Sequence, residues 1–320
     1  MTLPALFGRL RLPVVGAPMF IISHPALVIA QCKAGIVGSF PALNARPAPV
    51  LRTWIAEIRA ELAAWDAAHP EAPSAPFAVN QIVHKSNNRL EHDLTVCVEE
   101  RVPLIITSLG AREDVNRSVH GYGGLVLHDI TNVAHAEKAL ERGADGLIAV
   151  CAGAGGHAGT LSPFALVQEI RRFFHGPLAL SGAIANGRSV LAAQAMGADL
   201  AYIGSAFIAT HEANAPEGYK DAIVTGTARD IVYTNLFSGV PANYLRSSIV
   251  ASGLDPDHLP TSDPSAMNFA SRDDTGAPIK RWRDIWGCGQ GIGAVHEVVP
   301  TATLVARLER EYREAREALR

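Results

Sequence analysis

The segment Ala152-Gly153-Ala154-Gly155-Gly156-His157-Ala158-Gly159 is where chemistry is most legible in this chain. Four glycines in eight residues make poor regular structure, but they let a backbone approach a ligand closely. His157 is the only proton-transfer group in the loop, and an ordinary imidazole titrates near neutrality, where a general base is useful. The bland reading of a lone histidine is a surface or packing residue. Neighbours with almost no side chain to pack against favour catalysis instead. The stretch also loosely matches a dinucleotide G-x-G-x-x-G, but no clear acidic partner stands about 20 residues on, so that reading is weak.

Other short segments share this character. Gly16-Ala17-Pro18-Met19 offers a flat ligand small side chains and one soft apolar contact, or else forms a plain tight turn. Asn80-Gln81 sets two amides side by side, each able to donate and accept. His128-Asp129 adds an imidazole and a carboxyl. Ser181-Gly182-Ala183 and Gly204-Ser205 are paired small residues just before helices. Backbone N–H groups and the helix dipole can hold a phosphate there without Lys or Arg, although simple strand-to-helix turns would look the same. Metal sites find no support: no cysteine pair has zinc spacing, and His120, His128 and His135 fall in different elements without a carboxylate triad. No G-x-S-x-G follows a strand, so a serine nucleophile is unsupported.

The elements that position these residues read as alternating apolar runs and helix-period segments. Strands are expected at Leu12–Val15, Ile36–Phe40, Phe77–Asn80, Pro103–Thr107, Gly124–Leu127, Gly146–Val150, Leu178–Ser181 and Leu200–Gly204. Between them fall helices at Pro25–Ala34, Val50–Ala68, within Asn87–Glu100, and at Glu113–Val119, Val133–Arg142, Phe164–Phe174 and Gly187–Met196. Ser205–Thr210 opens one more. In the second helix Leu51, Trp54, Ile55, Ile58, Leu62 and Trp65 recur every three or four residues, one apolar face. Eight strand–helix units in about 210 residues predict an α/β fold, a (β/α)8 TIM barrel, with an open doubly wound sheet as the alternative. A barrel puts its site at the carboxyl ends of the strands, where all the segments above fall. The alternation stops after the eighth strand. Residues 1–211 are therefore read as barrel, 212–281 as an inserted lid or small subdomain, and 282–320 as a glycine-rich segment and terminal helix completing the barrel.

Composition narrows the class. The chain has 320 residues, 48% hydrophobic and 18% charged, and a chain of that size needs no disulfide or metal staple. A net charge of −3, from 28 basic and 31 acidic residues without long runs, gives no footprint for nucleic acid. No apolar stretch is long enough to span a membrane, Met1–Arg11 lacks a signal-peptide core, and Cys32, Cys97, Cys151 and Cys288 are scattered. The expectation is a cytoplasmic enzyme with a small-molecule substrate, no nucleic-acid or membrane partner, and a homodimer left open.

Taken together, PVVGAPM at the first strand, PFAVN at the third, GLIAVCAGAGGHAG at the sixth, LALSGAIANGRSVLAAQAMGADLAYIGSAFIAT across the last two and WGCGQGIG near the carboxyl terminus resemble the nitronate monooxygenases. These are flavin-dependent (β/α)8 barrels, and the resemblance covers most of residues 10–210 and 282–298. It implies FMN across the barrel mouth. Ala17, Pro18 and Met19 would line the isoalloxazine, Asn80 would bond its edge, and Gly155 and Gly156 would flank it beside His157. Gly182, Ala183, Gly204 and Ser205, with Ser181, would hold the phosphate, and Gly289-Gln290 would close the ring side. His157 matches the family's base, which removes the α-proton of a nitroalkane; with a nitronate, already an anion, it would hold the nitro group.

Two departures stand out. Ala183 occupies a position where the family often has glycine, and Asp129 one where many relatives carry lysine. A cation facing the flavin stabilises the reduced anionic ring; an aspartate does the opposite or faces elsewhere. The activity expected from the resemblance is FMN-dependent oxidation of alkyl nitronates by O2. The alternatives are an NAD(P)H-dependent flavin reductase of quinones or enoyl thioesters, a flavin-free phosphate-ligand isomerase or lyase using His157 as base, and a non-catalytic flavin-binding protein.

Overall fold

A computed structural model describes residues 3–263 and 284–319. Eight parallel strands form the barrel: β1 (Val14–Gly16), β2 (Gly38–Pro41), β3 (Phe77–Ile82), β4 (Leu104–Ser108), β5 (Leu125–Ile130), β6 (Gly146–Val150), β8 (Leu178–Ser181) and β9 (Leu200–Ile203). They pair in chain order, and β9 returns to β1. The ring closes between the first two strands, where Gly16 N donates to Val37 O at 2.8 Å and Val37 N to Val14 O at 3.1 Å. Strands covered on both faces read as continuous apolar runs, and all five residues of β6 are buried. Val15, Ala78, Ile106, Ile148, Ala179 and Leu200 form the inner core with Tyr202.

The crossover helices are α1 (Pro25–Lys33), α2 (Val50–Ala68), α3 (Leu90–Glu99), α4 (Glu113–His120), α5 (Val133–Glu141), α6 (Pro163–Arg171) and α7 (Gly187–Ala195). Asn132 caps α5 by accepting from His135 N, and Asn186 caps α7 in a reciprocal box with Ser189. Ser162 precedes Pro163 as expected, but its side chain makes no cap hydrogen bond.

The helix expected to open at Ser205 does not fill the eighth outer position. The helix opening at Ser205 is a single turn, α8 (Ser205–Ile208). The helix packed on α7 and α1 is the terminal one, α11 (Thr301–Ala318), which buries Leu304, Val305 and Leu308 beside Leu12, Val14 and Val190. Between them lie α9 (Glu217–Thr225), β10 (Ile231–Thr234), β11 (Ala242–Leu245) and α10 (Arg246–Ala251). A further strand not anticipated from sequence, β7 (Gly156–His157), pairs antiparallel with β11 in a small second sheet.

Strands β3 and β5 run two and three residues past their expected ends, Asn80 and Leu127. Asn80-Gln81 and His128-Asp129 therefore lie within strands rather than after them. Their backbones pair while Asn80, His128 and Asp129 line the cavity, whereas Gln81 turns outward and donates to Cys97 Sγ of α3 at 3.3 Å; a reading guided by apolar runs stops too early.

The α7–α11 contact is close enough to test. A Cβ on Gly187 would stand 2.2 Å from Tyr312 N and 2.3 Å from Leu308 O, both backbone atoms that cannot swing away. Alanine gains roughly 1 kcal/mol of helix propensity over glycine, while overpacking costs typically about 1–3 kcal/mol and more against rigid backbone. Gly187→Ala is thus expected to lower the denaturation midpoint; a midpoint equal to or above the parent's would show that α11 does not dock so tightly.

Candidate active site

A cavity of about 2050 Å³ opens at the carboxyl ends of the barrel strands. Ala17, Pro18 and Met19 line it after β1, Asn80 on β3, Gly155, Gly156 and His157 after β6, Ser181 at the end of β8, and Gly204 and Ser205 after β9. Gly182, Ala183, Gly289 and Gln290 are not among its lining residues; they form the layer behind that wall. Ser108, His128, Asp129 and Tyr202 also line it. Ser108 was missed, although it closes the fourth strand where the same reading of strand ends would have found it.

Insertion strands hold the glycine-rich loop from outside. Gly156 lies opposite Asn243 and His157 opposite Ala242. Asn243 Nδ2 donates to Ala154 O at 2.7 Å, Tyr233 OH to Ala158 O at 3.0 Å and Ala158 N to Pro241 O at 3.2 Å. A loop with so many glycines has little shape of its own, so these bonds supply it.

The same insertion orients His157. Its Nε2 is 3.2 Å from Ser238 Oγ, and that hydroxyl gives its hydrogen to Val240 O at 2.9 Å. With its hydrogen on Val240 O, that hydroxyl accepts from Nε2 and sets the orientation of the ring. Burial pushes the imidazole down to about 4, so the ring is neutral at physiological pH. The ordinary titration near neutrality expected from sequence does not apply here. A neutral ring can accept a proton or donate a hydrogen bond, but it offers no fixed positive charge.

Three strand-end loops meet behind the wall. Gly153 O accepts from Ala183 N at 3.2 Å and from Gln290 N at 2.9 Å. Gly289 N donates to Ser205 Oγ at 2.8 Å, and the buried Cys288 thiol also meets that hydroxyl. A Cβ on Gly155 would fall 2.8 Å from Gly289 N and 2.9 Å from Ser205 Oγ, so only glycine fits. The Ser205 hydroxyl thus anchors residues 288–289. In the first turn of α8, Phe207 N already donates to Gly204 O at 2.8 Å, which leaves the backbone N–H groups before it for an anion.

On the other side of the cavity Asn80 Nδ2 donates to Ser108 Oγ at 2.7 Å and to Ile106 O at 3.1 Å. Ser108 Oγ donates to Asp129 Oδ2 at 2.6 Å. Burial raises the Asp129 carboxyl to about 6. His128 Nδ1 is 2.6 Å from Thr107 Oγ1, and burial lowers that imidazole to about 4. Among the described residues no helix is long and apolar enough to cross a membrane.

The nitronate monooxygenase family matches residues 5–311 of the chain. A nitronate monooxygenase of Paraburkholderia phytofirmans is 30% identical over 96% of this chain and 94% of that protein. One of Pseudomonas aeruginosa is 28% identical over 94% and 96%. Among solved structures, nitroalkane oxidase from Streptomyces ansochromogenes superposes with a TM-score of 0.81 at 26% identity, covering 99% of this chain and all of that one. FabK from Thermotoga maritima superposes at 0.76 with 25% identity, covering 98% and 96%.

Behind the cavity wall, Ala183 has φ +55°, in the left-handed region that costs an L-residue roughly 1–2 kcal/mol. Glycine pays no such steric cost but loses more chain entropy, about 0.5–1 kcal/mol. Ala183→Gly is expected to leave stability unchanged or raise it by up to about 1 kcal/mol, read as a denaturant midpoint. A clear loss of stability would show that the Ala183 methyl contributes packing that outweighs the strain.

Proposed function

The chain belongs to the nitronate monooxygenase family, and on that premise we propose that it oxidises alkyl nitronates with O2 on a bound FMN, taking neutral nitroalkanes as well through His157. The observation that carries the reading is a neutral, half-buried imidazole on a glycine-rich loop whose backbone faces a large cavity. At about 2050 Å³ the cavity exceeds the roughly 300–1,000 Å³ of common ligand pockets, room for a flat cofactor and a substrate together.

The donor set fits a flavin mononucleotide. A Cβ on Gly204 would meet Ala17 Cβ at 3.4 Å and Met19 Sδ at 3.5 Å, so the small residues after β1 and β9 make one continuous surface for a ring. The first turn of α8 adds backbone donors for a phosphate. When bound, FMN would supply the electron acceptor for the nitronate and the route onward to O2.

The protein's own part is acid–base and positional. A neutral nitroalkane must first lose its α-proton: the C–H bond breaks, the proton passes to the neutral His157 imidazole, and the electron pair remains as the nitronate. The Ser238 hydroxyl meets Nε2 and fixes the orientation of the ring. A preformed nitronate skips this step and meets His157 only as a binding group. A small-molecule substrate and O2 are the reactants proposed.

His157→Asn is expected to lower turnover of neutral nitroalkanes by roughly 10²–10⁴-fold, the usual worth of a positioned base. The same variant should lose less on the preformed nitronate, mainly in KM. Equal losses on both substrates, or none on either, would remove His157 as the proton acceptor. Purified protein that is colourless and takes up no FMN on titration would remove the flavin reading altogether.

The depressed His157 pKa sets the acid limb. Only the neutral ring accepts a proton, so kcat/KM for a neutral nitroalkane should hold down to pH values well below 6 and fall as pH drops through about 4. An inflection near the ordinary histidine value of about 6.5 would show the ring to be solvated in the working enzyme.

A further inference from the structure

Asn80 has spent both hydrogens of its amide inside the protein, on Ile106 O and Ser108 Oγ. Its Oδ1 can only accept, and Asn80 is a lining residue of the cavity. Ile106 O can only accept and already favours this orientation, but Ser108, the nearer partner of the same nitrogen, could work against it. A serine hydroxyl both donates and accepts, so Ser108 left to itself could turn its hydrogen toward the Asn80 oxygen and favour the opposite amide orientation. Asp129 Oδ2 removes that option by taking the Ser108 hydrogen at 2.6 Å.

Asp129 is costly where it stands. Its Oδ1 is buried without a hydrogen-bond partner among the described residues, and such a group calls for a reason to be kept. A carboxyl raised only to about 6 remains largely ionised above pH 7, so it accepts rather than donates toward Ser108. Tyr202 and His128 also line this side of the cavity; neither is positively charged near neutrality, and neither takes the Ser108 hydrogen in its place.

Resting on the flavin reading above, we propose that Asp129, acting through Ser108, is a positioning residue that holds the Asn80 amide with Oδ1 as an acceptor toward the cavity, and that this oxygen receives the ring N–H of the bound cofactor. The oxidised isoalloxazine has one ring N–H, at N3, so an acceptor-only contact with its ring selects that edge. The pattern runs carboxylate, hydroxyl, amide, imide, each donor feeding the next acceptor toward Asp129.

The test titrates flavin-free, full-length protein with FMN and with 3-methyl-FMN, which differs only in lacking that hydrogen, and reads the two dissociation constants by flavin fluorescence. The parent is expected to prefer FMN by about tenfold or more, one hydrogen bond plus the displaced methyl. Ser108→Ala and Asp129→Ala, which removes the acceptor, should each narrow that ratio by weakening FMN more than its methylated analogue, and Ser108→Thr, which keeps the hydroxyl, should restore it. A mere loss of packing would weaken both flavins alike and leave the ratio standing. A parent that binds both flavins equally, or variants that keep the parent's ratio, would overturn the inference while FMN binding survives. Failure of the parent to bind either flavin would overturn the cofactor reading and the inference with it. Should Ser108→Ala not fold, Asp129→Ala decides on the same readout.

Discussion

Gly153 O accepts two backbone N–H groups, one from the loop after β8 and one from the segment near the carboxyl terminus. That shared carbonyl is the constraint on which the rest of the site depends. It requires three chain segments to approach at backbone distance, and Gly155 and Gly289 meet there with no room for a Cβ on either. Once these loops are joined, Ser205 is drawn into holding residues 288–289, and the wall behind the cavity is set. The glycines therefore serve closure among the loops at least as much as approach to a ligand.

The segment after the eighth barrel strand acts on the other side of the same loop. By adding β11 alongside Gly156-His157 it converts a shapeless stretch into an edge of a second sheet. It also contributes Ser238, which orients the imidazole. The burial that follows makes the ring neutral, the form a base needs, at the cost of basicity. An insertion has thus become part of the site without supplying the reacting group.

The cavity is electrically uneven in an unusual way. The groups around Asn80, Ser108 and Asp129 are arranged as acceptors ending in a carboxylate, whereas the side near α8 offers backbone donors. A ligand with an N–H at one end and an anion at the other matches this polarity.

Much of this was legible in the chain before folding. Apolar runs and helical periodicity are local properties, so the bounds of α2, β6 and β8 agree residue for residue with expectation, as does the alternation that makes a barrel. Residue type marked the glycine-rich loop and His157, because few structural roles suit that composition. What local pattern does not carry is pairing between distant short segments. Two residues of β7 have no periodicity, and only their meeting with β11 makes them a strand. That the helix expected at Ser205 shrinks to one turn while α11 packs on α7 and α1 likewise depends on which apolar face reaches that gap. Hydrogen-bond direction and charge state came last: whether Asn80 donates or accepts, and whether His157 is charged, follow from neighbours and burial that exist only once the chain has folded.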